Sequence, residues 1–186
     1  MNPLATEPRT LYSFLMRLPL SAAITLILAV SVGSAQNYTS PPASTSVTIA
    51  GKKITINYHA PQMHRREIFG GLVPYGQVWR AGANDATALH TDADLQIKNL
   101  NIPKGDYTLF VLPERNGWQL IVNKQTGQWG LEYHQNQDLG RVAMDMSQSP
   151  SLIDVWKITL AAAGGNKGTL RMEWEKTVAT VPFAVK

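Results

Sequence analysis

Residues 103–122, PKGDYTLFVLPERNGWQLIV, give the clearest indication of the fold. The first four of them, Pro-Lys-Gly-Asp, have the composition of a tight turn. An apolar run follows at residues 107–112, and a second one occupies residues 118–122. The Asn116-Gly117 pair between two such runs is a strong short-range indication of a β-hairpin. The stretch therefore predicts two adjacent antiparallel strands.

Similar short runs occur on both sides of this hairpin. Ile54, Ile56 and Tyr58 alternate with polar residues, which predicts a strand with one buried face. Residues 50–53, AGKK, predict a hairpin turn between that strand and the run before it. The other predicted strands are residues 46–49, 94–97, 140–146, 154–160, 169–174 and 177–185. Because no sustained helical period follows residue 35, the chain predicts an all-β fold, an antiparallel β-sandwich or barrel-like domain.

The N-terminal 35 residues have the pattern of a secretory signal peptide. Arg9 and Arg17 precede an apolar run at residues 18–32, and Gly33-Ser34-Ala35 supplies the small residues that signal peptidase recognises. The apolar run is shorter than the stretch of about twenty residues that a membrane span needs. We therefore predict cleavage after Ala35, with a retained membrane anchor as the alternative.

This organisation divides the chain into three parts. Residues 1–35 are the predicted signal peptide, residues 36–43 a flexible leader and residues 44–186 the β-sandwich domain. Export implies that the domain is periplasmic or secreted. It also implies that no stable transmembrane helix remains after signal cleavage.

Composition limits the classes of function. The 186 residues are 44% hydrophobic and 16% charged, which is typical of a folded domain. The net charge is +4 but the basic residues are dispersed, and nucleic-acid binding needs a concentrated basic face. The absence of cysteine excludes disulfides, zinc–thiolate sites and a thiol nucleophile.

Residues 65–87 contain the candidate ligand-binding side chains. Two arginines offer planar forks of donors that suit carboxylate or phosphate groups. Aromatic residues add stacking faces, and short polar residues add directional hydrogen bonds. Together they predict a pocket for a small polar ligand. The predicted ligand-binding residues are Arg66, Tyr75, Trp79, Arg80, Asn84, Asp85 and Thr87.

The same segment has a structural interpretation. Arg80 and Asp85 would form an internal ion pair that pins a long loop, with Arg80 at least partly buried. Asn84 would adopt the left-handed backbone geometry of a turn beside Gly82, because asparagine tolerates that region. The sequence leaves the two interpretations open.

Catalytic and metal sites have weaker support. His59, His64, His90 and His134 lack the spacing of a metal motif, so we predict no metal, and no motif for another cofactor occurs. Catalytic residues stay unknown, because no Gly-x-Ser-x-Gly elbow occurs and no spacing selects a pair of carboxylates. The main hypothesis is a non-enzymatic module that binds a small polar ligand or a partner protein. The alternative is a cell-envelope hydrolase that uses Asp85 or Glu67 on a glycan or other polar substrate.

The tryptophans fall into two groups. Trp118, Trp156 and Trp174 lie within strand patterns, which predicts that they belong to the core. Trp79 and Trp129 lie at the edges of predicted loops. These two are therefore the better candidates for stacking on a ligand.

Several of these segments resemble one protein family. The string IFGGLVPYGQVWRAGANDAT at residues 68–87 is similar to the hallmark of a bacterial family known as domain of unknown function 2911, and IPKGDYTLF at residues 102–110 resembles one of its strands. The segments QWG (128–130) and WEKT (174–177) also fit. The resemblance covers about residues 40–184 and implies an exported β-rich domain with no assigned activity. Asp85 stands where that family usually has glutamate.

Overall fold

The computed structural model describes residues 40–186, which form an almost entirely antiparallel β fold. A 3-10 turn at Gln135–Gln137 is the one helical element within this part of the chain. The nine strands are β1 (Pro42–Ile49), β2 (Lys52–His59), β3 (Thr87–Thr91), β4 (Leu95–Ile97), β5 (Leu100–Ile102), β6 (Gly105–Glu114), β7 (Gly117–Asn123), β8 (Asp138–Ala162) and β9 (Lys167–Val185).

The strands form one open sheet in the order β1-β2-β3-β6-β7-β8-β9-β4-β5. The long strand β8 joins its two parts, because residues 138–144 pair with β7 and residues 145–162 pair with β9. Apolar side chains from both parts meet in one core, where Ile56 of β2 and Leu120 of β7 line the same small space as Leu95 of β4 and Phe183 of β9. The predicted all-β antiparallel fold is confirmed.

Side chains bridge the gap where the sheet does not close. The backbone N–H of Ile158 donates to the Tyr58 hydroxyl at 3.1 Å, and that of Leu160 donates to Thr45 Oγ1 at 3.1 Å. These bonds satisfy donors on β8 that no strand ladder pairs. They hold β1 and β2 against β8 in place of a continuous backbone ladder.

The predicted hairpin is confirmed, but its turn lies one residue earlier than the Asn116-Gly117 pair indicates. Glu114 pairs with Gly117, so the turn residues are Arg115 and Asn116, and neither has a positive φ. A type I′ turn requires positive φ at both central positions. Ala50 and Gly51, with φ of 51° and 73°, have those signs between β1 and β2.

Other strand boundaries differ from the sequence-based ones. Strands β3 and β5 were not predicted, and β8 runs without a break through residues 147–153, which the sequence assigned to no strand. Strand β1 begins at Pro42, inside the segment predicted as a leader. The predicted signal peptide and residues 36–39 lie outside the described residues. No helix in the described part of the chain is long and apolar enough to cross a membrane.

Candidate functional site

The connection between β2 and β3, residues 60–86, is attached to the free flank of β6. Trp79 and Val111 exchange two backbone hydrogen bonds of 2.8 Å, and the N–H of Gly76 donates to the Pro113 carbonyl at 2.8 Å. Strand β3 pairs with β6 only as far as Leu109. The connection therefore continues the ladder on that flank, which fixes the backbone next to Arg80.

An aromatic cluster lies under this connection. The Trp79 ring stacks on Trp174 with centroids 5.8 Å apart and meets Trp156 edge-on at 4.6 Å. Trp156 Nε1 donates to the Ala81 carbonyl at 2.6 Å. Trp118, Trp156 and Trp174 are buried, so their predicted core positions are confirmed. Trp79 is partly exposed and forms a rigid aromatic wall.

A second segment, residues 128–130, holds the end of the connection from the other side. Asp85 and Trp129 form a β-bridge, and the N–H of Gly130 donates to the Asn84 carbonyl at 3.1 Å. A Cβ at Gly130 would overlap Cδ of Arg80 and the carbonyl oxygen of Asn84. Glycine is therefore required at this position because the Arg80 side chain passes directly over it.

Four of the seven predicted residues converge on one cavity of about 350 Å³. We call it the Arg80 cavity. The charged and polar residues that line it include His64, Arg66, Arg80 and Asn84. The aromatic side chains of Trp79 and Trp174 also line it. Within the described part of the chain, no aspartate or glutamate lines it. The described lining therefore contains two guanidinium groups and no carboxylate.

Arg80 is partly buried and has no hydrogen-bond or ion-pair partner in the described part of the chain. Its Nε is buried without a hydrogen bond, and the guanidinium makes no ion pair with any residue from 40 to 186. Burial lowers the pKa of Arg80. The ion pair with Asp85 expected from the structural interpretation is thus not formed. The reason is that Asp85 is exposed and lines a separate cavity beside Asn57 and Gln128.

Gln128 Nε2 is the other buried side-chain donor without a partner among the described residues. Its case differs from that of Arg80, because the same amide accepts a hydrogen bond from Thr108 through Oε1 at 3.3 Å. It also carries no charge. An unpaired neutral donor costs far less than an unpaired cation.

Arg66 and His64 also line the Arg80 cavity. The Arg66 guanidinium donates to the carbonyls of Met63 at 3.0 Å and Gln62 at 2.9 Å. Backbone strain accompanies these residues, because His64, Arg65, Ala81 and Asn84 all have φ between 47° and 60°. The left-handed geometry predicted for Asn84 is confirmed. Non-glycine residues in this region often lie at functional sites.

The other three predicted residues lie elsewhere. Tyr75 lies outside the Arg80 cavity, with the Arg115 guanidinium 4.9 Å above its ring. Thr87 is fully buried at the start of β3, where its hydroxyl donates to the Ala81 carbonyl at 3.0 Å. Asp85, as described above, lines a different cavity. Asp85 and Glu67, the carboxylates of the hydrolase alternative, share no described cavity.

Two residues contribute to the site although the sequence did not predict them there. His64 lines the Arg80 cavity, although it was considered only as a metal ligand. Gly130 admits the Arg80 side chain, and the indication for it was that residues 128–130 fit the same family as residues 80–87. Within residues 40–186, no group of three or more His, Asp or Glu side chains is arranged to hold a metal ion.

Comparison with known proteins gives one match. A family model described as "Protein of unknown function (DUF2911)" matches residues 40–183. The matched region contains every residue that lines the Arg80 cavity. Neither curated proteins nor solved structures give a match.

Proposed function

The chain belongs to the DUF2911 family, and we propose that it is a non-enzymatic module that binds a small anionic ligand in the Arg80 cavity. One observation carries this proposal, namely the partly buried Arg80 guanidinium that has no hydrogen-bond or ion-pair partner within residues 40–186. The predicted signal peptide supports the further proposal that the domain acts in the periplasm or outside the cell.

The cost of burying an unpaired cation supports the assignment. Arginine stays protonated at any physiological pH, so burial cannot be relieved by loss of the proton. A buried charge is normally paired or bound to a ligand. A carboxylate or phosphate would offer the guanidinium charge-assisted hydrogen bonds, and these are about twice as strong as neutral ones.

The rest of the cavity suits the same ligand class. Arg66 adds a second guanidinium to the lining and His64 adds an imidazole, and Asn84 adds an amide that can donate to an oxygen. No aspartate or glutamate among the described residues lines the cavity, so none of them would repel an anion. The volume of about 350 Å³ falls within the range of about 300–1,000 Å³ typical of small-molecule pockets, which favours a small ligand over a protein partner.

The hydrolase alternative has less support. Glycoside hydrolysis needs two carboxyl groups that face each other across the scissile bond, about 5–10 Å apart. Asp85 and Glu67 line no common cavity among those described, and neither lines the Arg80 cavity. The proposal therefore assigns no catalytic residue.

Isothermal titration calorimetry with inorganic phosphate, sulfate and acetate at pH 7 tests the proposal. The wild-type domain should bind at least one of these anions, and Arg80→Met should weaken that binding about tenfold to hundredfold. Arg171→Met is the matched control, because Arg171 pairs with Glu173 on β9 and does not line the Arg80 cavity. Absence of binding, or equal binding by Arg80→Met, would contradict the proposal.

A further inference from the structure

A second cavity of about 200 Å³ adjoins the Arg80 cavity. The two share four lining residues, which are Leu72, Val73, Trp79 and Arg80. Arg80 therefore faces both spaces. We call the second space the Leu131 cavity, after the more exposed of the two exposed leucines on its wall.

Most residues that line the Leu131 cavity are apolar, and Gln77 and Tyr133 add polar groups beside Arg80. Pro74, Val78, Phe110 and Leu131 line it in addition to the shared residues. Arg80 is the one charged residue among those described on its wall. The Arg80 cavity is lined by two arginines and a histidine by contrast, so it is the more polar of the two spaces, and Arg80 and Trp79 line both.

Large apolar side chains are left in water at the rim of the Leu131 cavity. Leu131 is 74% exposed and Leu72 is 47% exposed. Both residues flank the same small cavity, so they form a local apolar surface rather than isolated exposed residues. Apolar surface at the edge of a cavity is characteristic of a binding site, because covering it removes it from water.

We infer that the ligand is an amphiphilic anion, with its carboxylate or phosphate group on Arg80 and a short hydrocarbon chain in the Leu131 cavity. This inference rests on the proposed function and adds the class of ligand to it. The chain would lie against Leu72, Leu131 and the Trp79 ring. A volume of about 200 Å³ holds roughly six groups of the size of a water molecule or a methylene.

Gly130 makes this arrangement possible. Because it has no Cβ, the Arg80 side chain passes over it and remains in contact with both cavities. A side chain at this position would push the guanidinium away from the junction. The junction is where the charged end of an amphiphile meets its apolar part.

A homologous series of straight-chain carboxylates tests the inference. Calorimetric titration with acetate, butanoate, hexanoate and octanoate should show an affinity that rises about two- to fourfold per added methylene until about six carbons are covered. Leu131→Ser should reduce this dependence on chain length, because it removes apolar surface from the cavity wall. Leu131 is mostly exposed, so the variant should fold.

Leu152→Ser is the matched control, because Leu152 is 62% exposed on β8 and lines neither cavity. It should keep the full dependence on chain length. If acetate and phosphate bind through Arg80 and longer chains gain nothing, the inference is overturned while the proposed function stands. A chain-length dependence that Leu131→Ser leaves intact also overturns it. If no anion of any length binds, the proposed function itself fails.

Discussion

Two partly buried arginines, Arg80 and Arg141, have opposite surroundings. The Arg141 guanidinium donates to Asp138 Oδ2 from Nε at 3.0 Å and from Nη2 at 2.9 Å, and to the Tyr133 hydroxyl at 2.6 Å. Asp138 also accepts a hydrogen bond from the Asn123 amide at 2.9 Å. Arg80 has no such partner within residues 40–186. Arg141 thus belongs to a network in which its charge is paired, whereas the charge of Arg80 is unpaired among the described residues.

The pKa shifts follow this difference. Burial lowers the pKa of Arg80, and nothing offsets it. Burial also acts to lower the pKa of Arg141, but hydrogen bonds and charge from Asp138 and Tyr133 outweigh it, so the pKa is raised. Burial and the bond to Asp138 raise the pKa of Tyr133 to about 12. Asp138 and Tyr133 therefore compensate the burial of Arg141, whereas no described group compensates the burial of Arg80.

The largest expected effect is on stability in the Arg141 network. Asp138→Ala should lower the free energy of unfolding by about 3 kcal/mol, because Asp138 is only 10% exposed and its removal leaves Arg141 without a counter-ion. Arg80→Met should change it by less than about 1 kcal/mol, or raise it, because no pair is broken. Urea denaturation without added anions measures both. An Arg80→Met loss as large as that of Asp138→Ala would contradict the comparison.

A smaller effect is expected at the glycine that positions Arg80. Gly130→Ala should lower the free energy of unfolding by about 1–3 kcal/mol, because the added methyl overlaps Arg80 and the Asn84 carbonyl. It should also weaken phosphate binding, because the guanidinium is displaced. Gly117→Ala is the control, since its φ is not positive and no atom lies within 4 Å of the added methyl. Equal results for the two variants would show that Gly130 does not position Arg80.

The smallest expected effect is on the pH dependence of stability, and it comes from His90, which is exposed and bonded to two aspartates. Hydrogen bonds to Asp106 at 2.7 Å and to Asp92 at 3.1 Å raise the pKa of His90. A raised pKa means that the stabilisation is complete below pH 6.5 and is lost as the pH rises through the higher folded-state value. The effect should be small, because His90 is 48% exposed and water screens the pairs.

Urea denaturation of the wild type and of His90→Gln at pH 5 and pH 8.5 measures this contribution. The wild type should lose its small advantage over the variant at the higher pH. An advantage that instead grows with pH would show that His90 is stabilised in its neutral form. In that case His90 could not be compared with Arg141 as a cation that carboxylates stabilise.

Sequence patterns predicted the parts of the fold that depend on local alternation. The burial of Ile54, Ile56 and Tyr58 and the β6–β7 hairpin follow from residues close together in the chain. Strand β3 was missed because its five residues, TALHT, include two threonines, an alanine and a histidine and follow a long irregular segment. The turn lies at Arg115 and Asn116, one residue before the predicted position, because the register of β6 with β7 pairs Glu114 with Gly117.

The candidate site was predicted in part. Arg66, Trp79, Arg80 and Asn84 converge as expected. The directions of neighbouring side chains are set by tertiary structure, so Asp85 turns away from Arg80 although it is only five residues further along the chain. Gly130 and Leu131 are distant from Arg80 in the sequence, and only the tertiary fold brings them beside it. The sequence around residue 80 therefore could not predict their contribution. The functional ligand-binding assignments themselves stay predictions.

The central claim is that Arg80, unlike Arg141, is available to an anion. Two-dimensional ¹H–¹⁵N NMR of the arginine Nε–H groups tests it within one molecule, with signals assigned through Arg80→Lys and Arg141→Lys. Titration with phosphate, or with octanoate if phosphate binds weakly, should shift the Arg80 signal in a saturable manner and leave the Arg141 signal in place. An unchanged Arg80 signal at saturating anion, or equal shifts of both signals, would contradict the account.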